Sequence, residues 1–482
     1  MTRGPAPSPN TGRGNLLVIM SDEHQARAMS CAGHPLVKTP NLDALAARGT
    51  RFTNAYTPSP ICVPARAAFA TGRPVHQTRH WDNAMPYHGT PDGWGHALQA
   101  GGIAVESIGK LHYRNAEDPA GFDRSHIPMH VAGGVGMVWG SIRAEAERAA
   151  PSHRMLGDHI GAGTSPYTDY DAAVTAHTRT WLANAPKHPW CLFTGLVAPH
   201  FPLVAPQAFY DLYPLDALPD WKQHPRDGQP RHPWVETQNA LMDSDSAFAD
   251  ETERKQALAA YFALCSWMDH NLGQILAALD EHGLRDTTSI IYTSDHGENA
   301  GARGLWGKSV LYQESTQIPL IAAGPAFAPG TTCKTPVSLL DVSASIPAHF
   351  GLPFCTADGT RPIQDIAAEP VAPNRPVFSE YHAVGSTSAA YMLRIGRWKY
   401  HHYVGHDPEL FDLVNDPEEL TNLAPFNPTK RLEMETALRK ILDPEVTNDR
   451  AFADQAALIA RHGGPDAARK LGAPGASPPP KT

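Results

Sequence analysis

Cys62 lies in the stretch AYTPSPICVPARAAFATGR, residues 55–73, bracketed by Pro58, Pro60 and Pro64 and followed closely by Arg66. Two distant segments carry a second kind of chemistry. NLLVIMSDEH, residues 15–24, and TSIIYTSDHGEN, residues 288–299, are apolar runs that stop abruptly at Asp22, Glu23, Asp295 and His296. Hard divalent cations take carboxylate oxygens, and imidazole nitrogen is an acceptable further donor for Mn²⁺ or Zn²⁺. Asp and His after a strand also cap ordinary turns, but two separated strand ends of this kind favour a metal site. A third set is cationic or imidazole-bearing: Arg66, Lys110, His112, His200 and Lys308, each beside a strand end or loop. Together they suit a clamp on a tetrahedral anion whose charge moves to a leaving oxygen. Taken singly, any of them could be a surface cation, and Lys308 is located only by its turn, LWGKS.

For these groups to meet, the runs that carry them must be neighbouring strands. LLVIM, residues 16–20, reads as a buried central strand. IAVESIGKLH, 103–112, is a strand ending in Lys110 and His112, and WCLFTGLVAPHFP, 190–202, is another ending at His200. In a parallel α/β sheet such ends gather at one edge, where ligands bind. QIPLIAAG, 317–324, is expected as a further parallel strand beside residues 288–297. The prolines forbid a helix before Cys62, while 65–70 is helix-compatible up to Gly72. The cysteine therefore sits at a helix start, whose free N–H groups suit an anion. Helices are expected over 40–48, 93–102, 169–184, 251–281, 338–351 and 430–442, and an antiparallel hairpin over 389–403. The long irregular stretches 113–165 and 203–248 read as active-site walls, with Tyr113, Trp139, Trp221 and Trp234 as aromatics able to face a substrate.

The fold class expected is α/β: a large, mostly parallel mixed sheet sandwiched by helices, with a smaller C-terminal α+β region holding an antiparallel sheet. The divisions read as a flexible N-terminus (1–14), a catalytic domain (15–370), a smaller subdomain (371–462) and a flexible or extended tail (463–482). A formal charge of −9 over 482 residues excludes the basic footprint of a nucleic-acid binder. No apolar run reaches membrane-spanning length and the first residues lack a signal-peptide core, so a cytoplasmic protein without membrane contact is expected. The six cysteines are scattered, with no metal-binding pair or disulfide framework; all but Cys62 are expected as small buried hydrophobes.

CVPAR at 62–66 with TGR at 71–73 resembles the Cys-x-Pro-x-Arg signature of the sulfatase branch of the alkaline phosphatase superfamily. MSDEH, TPNLDALAARGTRFTNAY, GKLH, APHFP, TSDHG, GLWGK, GRWKY and ELFDLVNDPEELTNLA add matches, in order, over residues 14–424. The resemblance implies that Cys62 is oxidised to formylglycine by a maturation enzyme. It implies one divalent metal, Ca²⁺ or Mn²⁺, held by Asp22, Asp295, His296 and an oxygen of modified Cys62, with Glu23 where relatives place a second acidic or amide ligand. Arg66 would hold the formylglycine, and Lys110 and His112 would touch nucleophile and sulfate. His200 and Lys308 would bind sulfate oxygens and assist the leaving group, and Asn83 sits where some relatives bring an Asn to the sulfate. The chemistry is sound: one hydroxyl of an aldehyde hydrate attacks sulfur, and deprotonation of the other then ejects sulfate without water attack on sulfur. Many arylsulfatases have Asp-Asp and Asp-Asn where this chain has Asp22-Glu23 and Asp295-His296. That form is closer to choline sulfatases and phosphonate monoester hydrolases, which makes manganese a rival to calcium.

The first expectation is hydrolysis of a small organic sulfate monoester, aryl or alkyl, with choline sulfate one candidate through cation–π contact. The alternative is a phosphonate monoester or phosphodiester hydrolase with promiscuous sulfatase activity, because these anions share tetrahedral geometry. A non-catalytic relative would be expected to have lost members of the charged set, and none is missing. A homo-oligomer is compatible with all of these.

Overall fold

The computed structural model describes residues 14–144, 155–472 and 477–480. The flexible N-terminus expected before residue 14, and residues 145–154 of the wall expected over 113–165, lie outside the described residues.

Eight strands form the central sheet in the order Thr331–Cys333, Gly49–Phe52, Leu320–Ala323, Thr288–Ser294, Asn15–Asp22, Trp190–Pro199, Ala104–Lys110 and Arg124–Met129. Asn15–Asp22 lies at the middle because its residues are apolar on both faces. Successive side chains alternate between faces, so Leu16, Val18 and Met20 join one core cluster and Leu17 and Ile19 the other. The first cluster is closed by Phe69, Trp94, Leu98, Leu339, Val342 and Ile346 from three helices. The second is closed by Leu42, Leu45, Val174, Met268, Leu272 and Ile275. The 31-residue helix Glu251–Glu281, capped by Asp250, matches its sequence-derived bounds.

Four neighbouring strands, Thr288–Ser294, Asn15–Asp22, Trp190–Pro199 and Ala104–Lys110, run parallel. All four therefore deliver their C-terminal ends to the same edge. Leu320–Ala323 instead pairs antiparallel with both neighbours, which corrects the expected parallel strand. Between Ser294 and Leu320 the chain holds only short helices, Ala302–Gly304 and Gln313–Thr316. Neither is a helix long enough to carry the chain back along the sheet, and the strand starts from the edge that Ser294 had reached. Arg124–Met129 is an additional edge strand inside the stretch read as irregular; its polar residues and Pro128 are edge characteristics that conceal it.

The smaller C-terminal region has the antiparallel order Val377–Tyr381, Ala390–Ile395, Trp398–Tyr403 and Glu409–Asp412. Helices Pro428–Arg439 and Pro444–Arg461 follow. Beyond them, where a flexible or extended tail is expected, Pro465–Ala468 forms a short helix with Ala468 buried, and Ser477 is buried too. Cys191, Cys265 and Cys333 are buried, whereas Cys31 is half-buried and Cys355 exposed, so the expectation of uniform burial fails at those two. Among the described residues no helix is long and apolar enough to cross a membrane.

Candidate active site

Cys62 is the first residue of the helix Cys62–Thr71. Pro64 fits its first turn because a proline there gives up no intrahelical hydrogen bond. Gly72 ends the helix in the left-handed region, φ 64°. This short helix places Cys62 over the edge where the four parallel strands end. Its Sγ is 3.2 Å from His296 Nε2 and 3.7 Å from Asp22 Oδ1. Asp22, Cys62, Asp295 and His296 are all buried, and their donor atoms lie within 4.8 Å of one another. In the DHG turn, a Cβ at Gly297 would come within 1.9 Å of the Glu314 carbonyl oxygen. Only glycine lets the chain pass there and bring Asp295 and His296 to the site.

Arg66 ties the carboxylates together. Its Nε donates to Asp295 Oδ2 at 2.7 Å, one terminal nitrogen donates to Asp22 Oδ2 at 3.1 Å, and the other to the Lys110 carbonyl at 3.0 Å. Lys110 Nζ adds a contact of 2.6 Å to Asp22 Oδ2. Burial works against an ionised Asp22, but Lys110 and the other positive groups outweigh it and hold the carboxyl well below its usual range. Burial and Asp22 push the Cys62 thiol up to about 12, so the unmodified side chain is a neutral thiol and a poor nucleophile.

Glu23 adopts φ 66° and His112 φ 59°, left-handed conformations that are strained in a residue with a side chain. Glu23 Oε2 accepts from Lys308 Nζ at 2.7 Å and lies 3.3 Å from His200 Nε2. Its other oxygen has no donor to accept from. Burial, with Glu298 nearby and in spite of Lys308, pushes the Glu23 carboxyl well above its usual range. Lys308 Nζ also donates to His200 Nε2 at 2.8 Å, while His200 Nδ1 donates to the Phe201 carbonyl. Burial and then Lys308 keep His200 neutral. Lys308 itself keeps its proton, because Glu23 and Asp22 outweigh the cost of its burial. His112 is likewise held neutral, by burial and then by Lys110.

The structure thus brings every sequence-derived site residue into one neighbourhood. Cys62, Asn83, Lys110, His112, His200 and Lys308 line a single cavity, and Asp22, Glu23, Arg66, Asp295 and His296 are buried against that set. Asn83 Oδ1 accepts from the Val63 N–H at 3.1 Å, which turns the Asn83 side chain to the start of the Cys62 helix. The aromatics singled out in the long stretches are elsewhere. Tyr113, Trp139 and Trp234 are core residues and Trp221 packs on Trp306, because rings that large are taken up by the apolar clusters. The cavity is walled instead by Tyr167, Phe201 and Trp306 with Met137, Met155 and Met242. Of these Phe201 and Trp306 had a signal, their places near His200 in APHFP and near Lys308 in GLWGK. Asp171 also went unread: its carboxylate accepts from the N–H groups of Val197 and Ala198, both at 2.7 Å, and so fixes the chain just before His200.

The donor set fits a divalent cation. It offers two carboxylates, an imidazole and the atom at position 62, and Glu23 forms a second group with Asp22 and His200. A sulfur there would be replaced by oxygen if Cys62 were converted, which makes the set harder still.

A family model described as Sulfatase matches residues 14–352. Choline-sulfatase of Rhizobium meliloti (strain 1021) is 34% identical over 434 residues, covering 86% of this chain and 83% of that protein. Arylsulfatase K of Xenopus laevis is 30% identical over 475 residues, covering 91% and 84%. Among solved structures, the phosphonate monoester hydrolase of Agrobacterium radiobacter superposes with a TM-score of 0.74 at 23% identity, covering 89% of this chain and 95% of that one. At that identity the likeness is one of fold.

Proposed function

This chain belongs to the sulfatase family, and we propose that it hydrolyses a small organic sulfate monoester, aryl or alkyl, with formylglycine at position 62 and one Ca²⁺ or Mn²⁺. The observation that carries the reading is the juxtaposition of Cys62 with three further donors, Asp22, Asp295 and His296, on one side and Lys110, His200 and Lys308 on the other. Asp22, Asp295 and His296 would hold the metal together with position 62, and Glu23 would reach it through its free oxygen. Bound there, the metal supplies positive charge that acidifies the nucleophile and offsets the charge of the ester.

The protein's own groups account for the rest. Three carboxylates, Asp22, Glu23 and Asp295, face three cations, Arg66, Lys110 and Lys308. The dication leaves a net positive site, which suits a monoanionic tetrahedral ester. Arg66 holds Asp22 and Asp295 in position. Lys110, Lys308 and Asn83 bind the sulfate oxygens. Lys308 carries the proton of the Lys308–His200 pair, and His200 Nε2 accepts its hydrogen bond, so the pair can deliver a proton to the leaving alcohol oxygen. Neutral His112, which lines the same cavity, would accept the proton whose loss releases sulfate.

A quaternary ammonium such as choline would meet Tyr167 and Trp306, since Lys308 already lies over the Phe201 ring, and the described lining holds no carboxylate to pair with it. The deciding experiment compares kcat/KM for an aryl sulfate, choline sulfate and a phosphonate monoester on converted, metal-defined protein. A sulfate ester is expected to be preferred. A phosphonate preference of about tenfold, worth some 1.4 kcal/mol at the transition state, would overturn the reading in favour of the phosphonate hydrolase.

A further inference from the structure

One wall of the cavity comes from the far end of the chain. Ser477, close to the C-terminal Thr482, is only 7% exposed. Its hydroxyl is 2.8 Å from His112 Nε2, and its carbonyl accepts from the Tyr167 hydroxyl. Both partners line the cavity that holds Cys62 and Lys308. The other ring nitrogen of His112, Nδ1, is buried and has no partner, so Ser477 is the side chain that engages this imidazole. The Tyr167 ring meets the His200 ring edge-on, with centroids 5.9 Å apart. Ser477 therefore spans the site from the His112 side to the His200 side.

The chain is guided there by contacts upstream. Ala468 packs with Val138, Ile142, Leu458 and Ile459, which anchors the segment beside the loop that bears Met137. Gly472 has φ 76°, and a Cβ on it would come within 1.5 Å of the Gly136 carbonyl oxygen. Any other residue would push the chain away from that loop. Pro478, Pro479 and Pro480 follow Ser477. A proline after it confines Ser477 to extended backbone, and a proline run is stiff and gives up little entropy on ordering.

Resting on the sulfate-ester reading above, we propose that Ser477–Pro480 roofs the nucleophile pocket, with Ser477 acting as a positioning residue for His112 and the roof limiting the size of the alcohol accepted. His112 touches the reacting group; Ser477 acts through it by fixing which nitrogen faces the site. Ser477 shares the cavity lining with Met137, Met155 and Tyr167, so a bulky alcohol in that cavity would compete with it for space.

The test uses three variants of the full chain: Ser477→Ala, Ser477→Thr, and removal of residues 477–482. Small alkyl and bulky aryl sulfates are assayed on converted protein. Alkylation of Cys62 by iodoacetamide is followed by peptide mass on unconverted protein. Ser477→Ala is expected to lower kcat for the small ester about fivefold, the weight of one hydrogen bond, with KM little changed, and Ser477→Thr to restore it. Removing 477–482 is expected to raise the bulky-to-small ratio of kcat/KM and to speed Cys62 alkylation, each by about tenfold, as opening a covered site does. A uniform fall in all rates, or an unchanged ratio and alkylation rate in protein of unaltered Tm, overturns the proposal. If the full chain turns over no sulfate ester, the functional reading fails, and the alkylation rates alone then judge the roof.

Discussion

Lys308 Nζ stands 2.7 Å from Glu23 Oε2; Glu23 is buried and the Lys308 side chain is 10% exposed. Glu23 shares this cation with His200, to which Lys308 Nζ also donates. Lys308→Ala leaves Glu23 buried beside Glu298 with no counter-charge, a situation that costs several kcal/mol unless the carboxyl takes up a proton. We expect Lys308→Ala to lower kcat by about 10² to 10³, as loss of one charge-stabilising donor does, and to lower Tm. Adding Glu23→Gln should recover much of the Tm and none of the kcat. A double-mutant cycle in both quantities checks this; recovery of activity in the double variant would show that Lys308 serves only to neutralise Glu23.

His200 is neutral in the fold and accepts from Lys308. If the pair protonates the leaving oxygen, its importance depends on how badly that oxygen needs a proton. His200→Asn is expected to slow alkyl sulfates by about 10² to 10⁴, the usual weight of general acid catalysis, and an ester with an acidic phenol as leaving group much less. A plot of log kcat/KM against leaving-group pKa should steepen in the variant. An equal loss on all esters would make His200 a binding residue and nothing more.

Two carboxylates, an imidazole and position 62 converge within 4.8 Å in the buried cluster, and Arg66 supplies only part of the charge that this convergence demands. A bound dication should therefore stabilise the fold as well as the reaction. Chelation is expected to abolish turnover and to lower Tm by several degrees, and Mn²⁺ or Ca²⁺ to restore both. Asp295→Asn protein should lose most of the metal-dependent rise in Tm. A Tm indifferent to chelator would argue that the cluster is held by Arg66 and Lys110 alone.

The edge that carries the site was legible in the sequence because its residues end apolar runs: Asp22, Lys110, His200 and Asp295 each mark where an apolar strand gives way to a buried polar cluster. The strand direction at Leu320–Ala323 was not, since an apolar run reads the same in either direction. The helix Pro444–Arg461 was hidden by a sequence in which few positions are buried. Tyr167 and Ser477 had no local signal at all. Both reach the site only through tertiary contacts, one from a helix flank and the other from a stretch of Gly, Ala and Pro that carries no periodicity.

Glu380 links the smaller region to the catalytic one. Its Oε1 accepts from the backbone N–H of His76 and lies 2.9 Å from His76 Nδ1, and its Oε2 is 2.9 Å from His382 Nε2. His76 lies in the short helix Val75–Thr78, which comes next after the helix that carries Cys62, so this carboxylate braces the Cys62 segment from outside. Burial opposes ionisation, yet His76 and His382 bring the Glu380 carboxyl down to about 2 from an ordinary 4.5. Burial also opposes a charged His76, and Glu380 outweighs it and raises that pKa above 6.5. The signs bound a window. Because the Glu380 value is depressed, its contribution is complete above pH 4.5 and is lost as pH falls toward 2. Because the His76 value is raised, its contribution is complete below pH 6.5 and is lost as pH rises through the folded value. The shift at Glu380 corresponds to on the order of 3 kcal/mol. Glu380→Gln should therefore lower Tm most near pH 5 to 6.5, less at pH 3 and less again at high pH. Thermal melts of both proteins across that range decide it, and a Tm difference that does not change with pH would mean that Glu380 contributes packing without charge.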